Sequence, residues 1–176
     1  PPQHNMLMKR FVSGSLISVL QEGRQLNEML LRQYTRQILA AISALHRRDT
    51  KNLNLKVSNL LLDNEGKIKL TDFVGTSNIS QIMNSTEKDS AYYWQNTPTQ
   101  KPREQKRTDI YNLGLLLQEL ATGEEGTDPP HLPSMYSEEA HKFLALCLRR
   151  ASVEKLLQHP FVTEDNTGTR GGFLPL

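Results

Sequence analysis

Apolar residues recur at every third or fourth position between residues 26 and 46 of the chain. Asn27 precedes the run, and asparagine is a favoured helix N-cap because its side-chain oxygen accepts a backbone N–H of the first turn. Glu28 adds a negative charge near the positive end of the helix dipole. The pattern predicts an amphipathic helix whose inward stripe is Leu31, Tyr34, Ile38, Ile42 and Leu45.

Three further helices are predicted downstream. One carries an apolar surface after residue 108 and ends at Gly123, a residue type common just past a helix end. A second is capped by Ser137, and a third runs over residues 151–161, where Pro160 stops it. The inward residues of the first two are Leu113, Leu116, Leu117, Leu120, Phe143, Leu144, Cys147 and Leu148.

Two short strands are predicted at residues 60–62 and 67–70, joined by a turn that ends in Gly66. Another strand is predicted at residues 6–12. Residues 123–137 carry no helical pattern. Together these elements predict a mainly α fold, of the α+β type, with a small β-hairpin.

Composition narrows the class of protein. The chain has 176 residues with a formal net charge of +2, too little to indicate a nucleic-acid-binding protein. Its single cysteine, Cys147, excludes an intramolecular disulfide and fits a reducing compartment. No apolar run approaches the roughly 18 residues of a membrane span, and no signal peptide is recognisable. We therefore expect a cytoplasmic protein with no membrane or nucleic-acid partner.

Two short motifs carry candidate chemistry. Asn52-Leu53-Asn54 is followed by Asn59, five residues after Asn54, and residues 72–75 read Asp-Phe-Val-Gly. This order and spacing resemble the catalytic loop and metal loop of protein kinases, which read His-Arg-Asp, then Asn, then Asp-Phe-Gly. The stretch from Thr108 to Gly114 and the ending Leu-Leu-Gln-His-Pro-Phe at 156–161 also resemble kinase helices.

The resemblance implies that the catalytic parts are degenerate. A kinase uses the loop aspartate to accept the substrate hydroxyl's proton, whereas the Asn54 amide can neither take a proton nor carry negative charge. Leu53 stands in the arginine position of the loop, Asn52 in the histidine position, and Val74 in the glycine position beside the metal aspartate. The Ala-Pro-Glu motif that closes the activation segment is absent. We expect no catalytic residue, cofactor or metal.

Three positions match family residues that handle nucleotide, namely Lys56, Asn59 and Asp72. For each, a structural role is the alternative: a surface lysine, a loop-pinning asparagine, and an aspartate that accepts backbone hydrogen bonds. The resemblance also implies structural roles for Asp109, which would bind the catalytic loop's backbone, and for Gly114 and Pro160. The aromatic cluster Tyr92-Tyr93-Trp94 is either a core anchor or a partner surface.

The resemblance covers most of the chain and implies a kinase-like large lobe over residues 1–162, with the small lobe largely absent and a flexible tail at 163–176. Residues 108–125 are similar to the inactive kinase-like domain of general-control kinases that phosphorylate eukaryotic initiation factor two alpha. This implies a non-catalytic domain that activates an adjacent kinase domain of the same polypeptide in amino-acid starvation, with self-association as a further option. The alternatives are a divergent nucleotide-binding kinase and a pseudokinase scaffold of another pathway.

Overall fold

Helix α1, Glu28–Arg47, is the element against which most others pack. It belongs to a computed structural model that describes residues 16, 25–51, 53–63, 65–70, 101–124 and 126–164. The Asn27 side chain accepts a hydrogen bond from the backbone N–H of Leu30 at 2.9 Å, so the predicted cap is confirmed. The predicted stripe is also confirmed, since four of its five residues are buried and Leu45 packs partly buried against the core.

Helix α2, Pro102–Thr122, begins earlier than the motif at Asp109 suggested. Proline is well suited to the first helical turn because its missing N–H has no partner there in any case. Residues 102–107, which include Arg103, Lys106 and Arg107, form the first turns of α2. Gly123 ends the helix at φ 75°, a left-handed conformation that glycine adopts without steric cost.

The predicted hairpin is confirmed. Strand β1, Leu60–Leu62, pairs antiparallel with β2, Ile68–Leu70, with Leu60 opposite Leu70. The turn between them is stabilised by Asp63, whose Oδ1 accepts the backbone N–H groups of residues 65 and 67. Ile68 N–H donates to Gln37 Oε1 at 2.8 Å, which fastens the hairpin to α1.

The chain ends its described part with three helices, α3 Glu138–Leu148, α4 Val153–Leu157 and α5 Pro160–Thr163. The prediction of a single helix at 151–161 was wrong. The segment forms two helices, and Pro160 is the first residue of α5. Proline cannot donate within a continuous helix but fits a first turn. The His159 side chain caps α5 by accepting the Phe161 N–H at 3.2 Å.

A polar network joins α1 to α3. The Glu28 carboxylate accepts the backbone N–H of Ser137 at 2.7 Å and its hydroxyl at 2.5 Å. Arg32 also donates to Glu28, at 2.7 Å. Burial alone would raise the pKa of Glu28, but the hydrogen bonds from Ser137 and Arg32 outweigh burial and lower it.

The described residues form a mainly α fold with one two-stranded hairpin, as predicted. Residues 124 and 126–136 contain no helix, in agreement with the sequence pattern. Cys147 is buried between helices, and burial raises the pKa of its thiol. Among the helices described, none has the length and apolar character needed to cross a bilayer. The strand expected at 6–12 lies outside the described residues. Of the tail expected at 163–176, Thr163 belongs to α5 and the residues beyond 164 lie outside the described part.

Gly114 lies where α2 packs on α3, and a Cβ added there would lie 3.2 Å from Cys147 Cβ and 3.3 Å from Leu144 Cδ1. We predict that Gly114→Val lowers the free energy of unfolding by about 1–3 kcal/mol, because overpacking forces the helices apart. Ala40→Val, at an exposed position of α1, should cost less than about 1 kcal/mol, the propensity difference alone. Urea denaturation measures both, and equal losses would contradict the packing argument.

Candidate functional site

A buried carboxylate stands at the centre of the candidate site. Asp109, on α2, has no solvent exposure. Its Oδ1 accepts the backbone N–H of Leu53 at 2.7 Å, and its Oδ2 lies 2.8 Å from Nε2 of His46 at the end of α1. The Asp109 side chain therefore links the end of α1 to the loop at residues 53–59.

The loop after residue 52 has an alternating pattern of burial. The buried residues are Leu53, Leu55, Val57 and Asn59, and the residues between them are exposed or half-buried. Asn59 closes the loop through its Nδ2, which donates to the carbonyl oxygen of Asn54 at 2.8 Å. The loop thus presents Asn54 and Lys56 on its solvent side while its other face belongs to the core.

The chemistry available at this loop follows from those side chains. Asn54 is exposed but carries an amide, which donates and accepts hydrogen bonds without taking up a proton. Leu53 has an uncharged side chain that is completely buried. This position therefore offers no positive charge to which a phosphate group could bind. Lys56, two residues after Asn54, is half-buried and is the cation that the loop carries between residues 53 and 59.

The other residues predicted for the site divide into two groups. Gly114 and Pro160 lie in the fold positions described above, at the contact of α2 with α3 and at the start of α5. The predictions for Asn52, Asp72, Val74, Tyr92, Tyr93 and Trp94 lie outside the described residues. In the part of the chain that the structure describes, no group of three or more His, Cys, Asp or Glu side chains could hold a metal ion.

Sequence reasoning missed the contacts that surround Asp109. The pairing of His46 with Asp109 was not predicted from the sequence. Lys106, one turn before Asp109 on α2, donates from Nζ to the carbonyl oxygen of His46 at 2.8 Å. The available signal was the three-residue spacing of Lys106 and Asp109, which places both on one side of the helix.

Tyr111 links α2 to the segment before α3. Its hydroxyl donates to the carboxylate of Asp128. Burial, then the hydrogen bond to Asp128, raise the pKa of Tyr111 to about 12. The guanidinium of Arg150 lies 5.2 Å from the centre of the Tyr111 ring, a distance at which a cation is attracted to an aromatic face.

Comparison with known proteins places this arrangement in a family. The model of the protein kinase domain matches residues 1–162. The chain belongs to the protein kinase domain family. Within that family the loop reads His-Arg-Asp with Asn five residues after the Asp, so this kinase-family chain keeps the asparagine, as Asn59, and has Asn54 in place of the aspartate.

The relatives of this kinase-family chain include mitogen-activated protein kinase kinase kinases. It is 31% identical over 173 residues to "Mitogen-activated protein kinase kinase kinase 3" of Arabidopsis thaliana, covering 85% of the chain and 28% of the relative. It is 29% identical over 182 residues to "Mitogen-activated protein kinase kinase kinase A" of Dictyostelium discoideum, covering 90% of the chain and 19% of the relative. The chain therefore spans less than a third of the length of either protein.

We predict that Asp109→Ala lowers the free energy of unfolding by about 3 kcal/mol, because it removes two hydrogen bonds to a charged group and leaves the Leu53 N–H unpaired. Glu104→Ala removes an exposed carboxylate from the same helix and should cost about 1 kcal/mol or less. Chemical denaturation gives both values. A loss under 1 kcal/mol for Asp109→Ala would show that the loop does not depend on this carboxylate.

Proposed function

We propose that this kinase-family chain is a catalytically inactive module that regulates an adjacent kinase domain of the same polypeptide. The observation that carries the proposal is the loop at residues 53–59. Asp109 and Asn59 hold its backbone by hydrogen bonds of 2.7 and 2.8 Å. In a kinase, the aspartate of this loop accepts the substrate's proton. Here that position is occupied by Asn54, whose amide is not a base.

The expected loss of rate when the loop aspartate is replaced by Asn54 supports the proposal of an inactive domain. Phosphoryl transfer depends on positioning and electrostatics, and the loop aspartate both orients the substrate hydroxyl and accepts its proton. Removing a positioned general base typically costs a factor of about 100 to 10,000 in rate. The buried Leu53 adds a second loss, because a leucine cannot pair with a phosphate as the family arginine does.

A fold that keeps its loop without the base remains useful as a binding partner. A domain shifts a kinase towards its active state when it binds that state more tightly than the inactive one. This mode of action needs a stable surface and no proton transfer. Tyr92, Tyr93 and Trp94 are the residues that we propose for the contact, because clustered aromatic residues are frequent anchors of protein interfaces.

Two pathways are candidates for the parent protein, which we propose to be a serine/threonine kinase. The similarity of residues 108–125 to general-control kinases favours the response to amino-acid starvation through eukaryotic initiation factor two alpha. The names of the relatives, mitogen-activated protein kinase kinase kinases, favour a mitogen-activated kinase cascade. Identifying the substrate of the kinase domain that we propose this chain activates would distinguish the two pathways.

The regulatory role predicts that the adjacent kinase domain phosphorylates its substrate more slowly when this chain is removed. We expect a reduction of at least about fivefold, the lower end of typical coupling between sites. Replacing Tyr92, Tyr93 and Trp94 by alanine should reproduce most of it. Met29→Ala with Met135→Ala, two exposed hydrophobic residues, is the control and should leave the rate unchanged. Equal rates with and without the chain would refute regulation.

A divergent kinase using Lys56, Asn59 and Asp72 is the second candidate, favoured by the retention of these residues. It predicts that ATP with magnesium raises the unfolding temperature in a concentration-dependent way. At a ligand concentration about a hundred times the Kd, the free energy of unfolding should rise by about 2.7 kcal/mol. The regulatory proposal predicts no shift, because the nucleotide has no productive site. A shift that Lys56→Ala abolishes would favour the divergent kinase.

A further inference from the structure

A basic cavity lies on the side of the molecule where the end of α1, the start of α2 and the link between α3 and α4 meet. Its volume is about 670 Å³. The wall carries one carboxylate, Glu154, together with His46. It also carries five basic side chains, namely Arg47, Arg103, Lys106, Arg107 and Arg150. Such an excess of one sign in one concavity raises the local concentration of counter-charged ligands.

The α2 residues of this cavity contribute positive charge where the helix is already positive. Arg103 and Arg107 are four residues apart, an arrangement in which like charges on a helix face repel and destabilise it. Both lie within two turns of the N-terminus of α2, where the helix dipole favours anions over cations. The arrangement is therefore unfavourable for the helix alone, and an anion in the cavity would relieve it.

Other contacts hold two of the cations at the wall. Arg47 donates from Nη1 to Ser43 Oγ at 2.9 Å, one turn earlier on α1. Arg150 has a left-handed backbone, φ 53°, which is uncommon for a residue with a side chain. Its guanidinium lies over the ring of Tyr111. Positions fixed in this way lose less conformational entropy when a ligand binds.

The cations of the cavity differ in whether a carboxylate of the described residues pairs with them. Lys106 lies 3.4 Å from Asp49 and also donates to a backbone carbonyl. Among the residues that the structure describes, no carboxylate lies within ion-pair distance of Arg103, Arg107 or Arg150. These three arginines are therefore available, within that part of the chain, for an external anion.

We propose that this cavity binds a phosphate monoester carried on a peptide segment, that is, a phosphoserine or phosphothreonine side chain. Guanidinium groups suit this anion because their planar donors form paired hydrogen bonds to phosphate oxygens, and a phosphate monoester carries close to two charges at neutral pH. The cavity is much larger than one phosphate ion and falls in the range of sites that enclose a whole ligand.

A nucleic-acid ligand fits these observations less well. Nucleic-acid surfaces are extended stripes of positive charge that neutralise many phosphates, whereas here the cations surround one concavity. The chain as a whole has a net charge of only +2. The site does not depend on the proposed regulatory function, because an active kinase domain with this surface would bind the same group.

The test is an NMR titration of the isotope-labelled chain with acetyl-Ala-Ala-phosphoserine-Ala-Ala-amide and with the same peptide carrying serine. We expect saturable shifts around the cavity, with a Kd at least tenfold lower for the phosphopeptide. Arg103→Gln with Arg107→Gln should raise that Kd at least tenfold. Arg48→Gln with Arg149→Gln removes two exposed arginines outside the cavity and should change it less than twofold.

Four results would overturn the proposal: no saturable binding, equal weakening by both double variants, inorganic phosphate binding as tightly as the phosphopeptide, or displacement of the phosphopeptide by a lower concentration of oligouridylate. The first two reject the site, the third rejects the peptide, and the fourth identifies a nucleic-acid surface. Arg103 and Arg107 are exposed, so both double variants should unfold at the wild-type temperature or above it, and loss of binding then reports on the cavity.

Discussion

The fully buried carboxylate of Asp109 is the interaction on which the arrangement of the site depends. A buried charge is tolerated only when hydrogen bonds replace the water it has lost, and here the Leu53 N–H and the His46 imidazole do so at 2.7 and 2.8 Å. These two partners lie on segments that are not otherwise joined by secondary structure. Because the Asp109 carboxylate on α2 bonds to both of them, it holds the end of α1 and the loop in place against α2.

This constraint separates the shape of the loop from its chemistry. The loop is held through the backbone of Leu53 and Asn54 and through the side chains of Asp109 and Asn59. None of these bonds uses the side chain at position 54. An asparagine in place of the kinase aspartate is therefore compatible with this loop geometry, although its amide cannot accept a proton.

Local patterns in the sequence were sufficient for α1, α3 and the hairpin, because the Asn27 and Ser137 caps, the apolar stripe of α1 and the turn at Gly66 each depend on neighbouring residues. Pro160 was misinterpreted because proline ends one helix and begins another with the same covalent property. The basic cavity was not predictable, because Arg47, Arg103 and Arg150 come from three distant segments. Only the packing of the helices brings their charges together.

The central claim is that residue 54 leaves this kinase-family domain without a base, and transfer of label from γ-labelled ATP tests it most directly. The polypeptide containing the chain, with any other kinase domain that it carries inactivated, is incubated with labelled ATP, magnesium and a general protein substrate, beside an active kinase domain as positive control. The account predicts no saturable incorporation above background. Saturable incorporation that Asn54→Ala abolishes would contradict it.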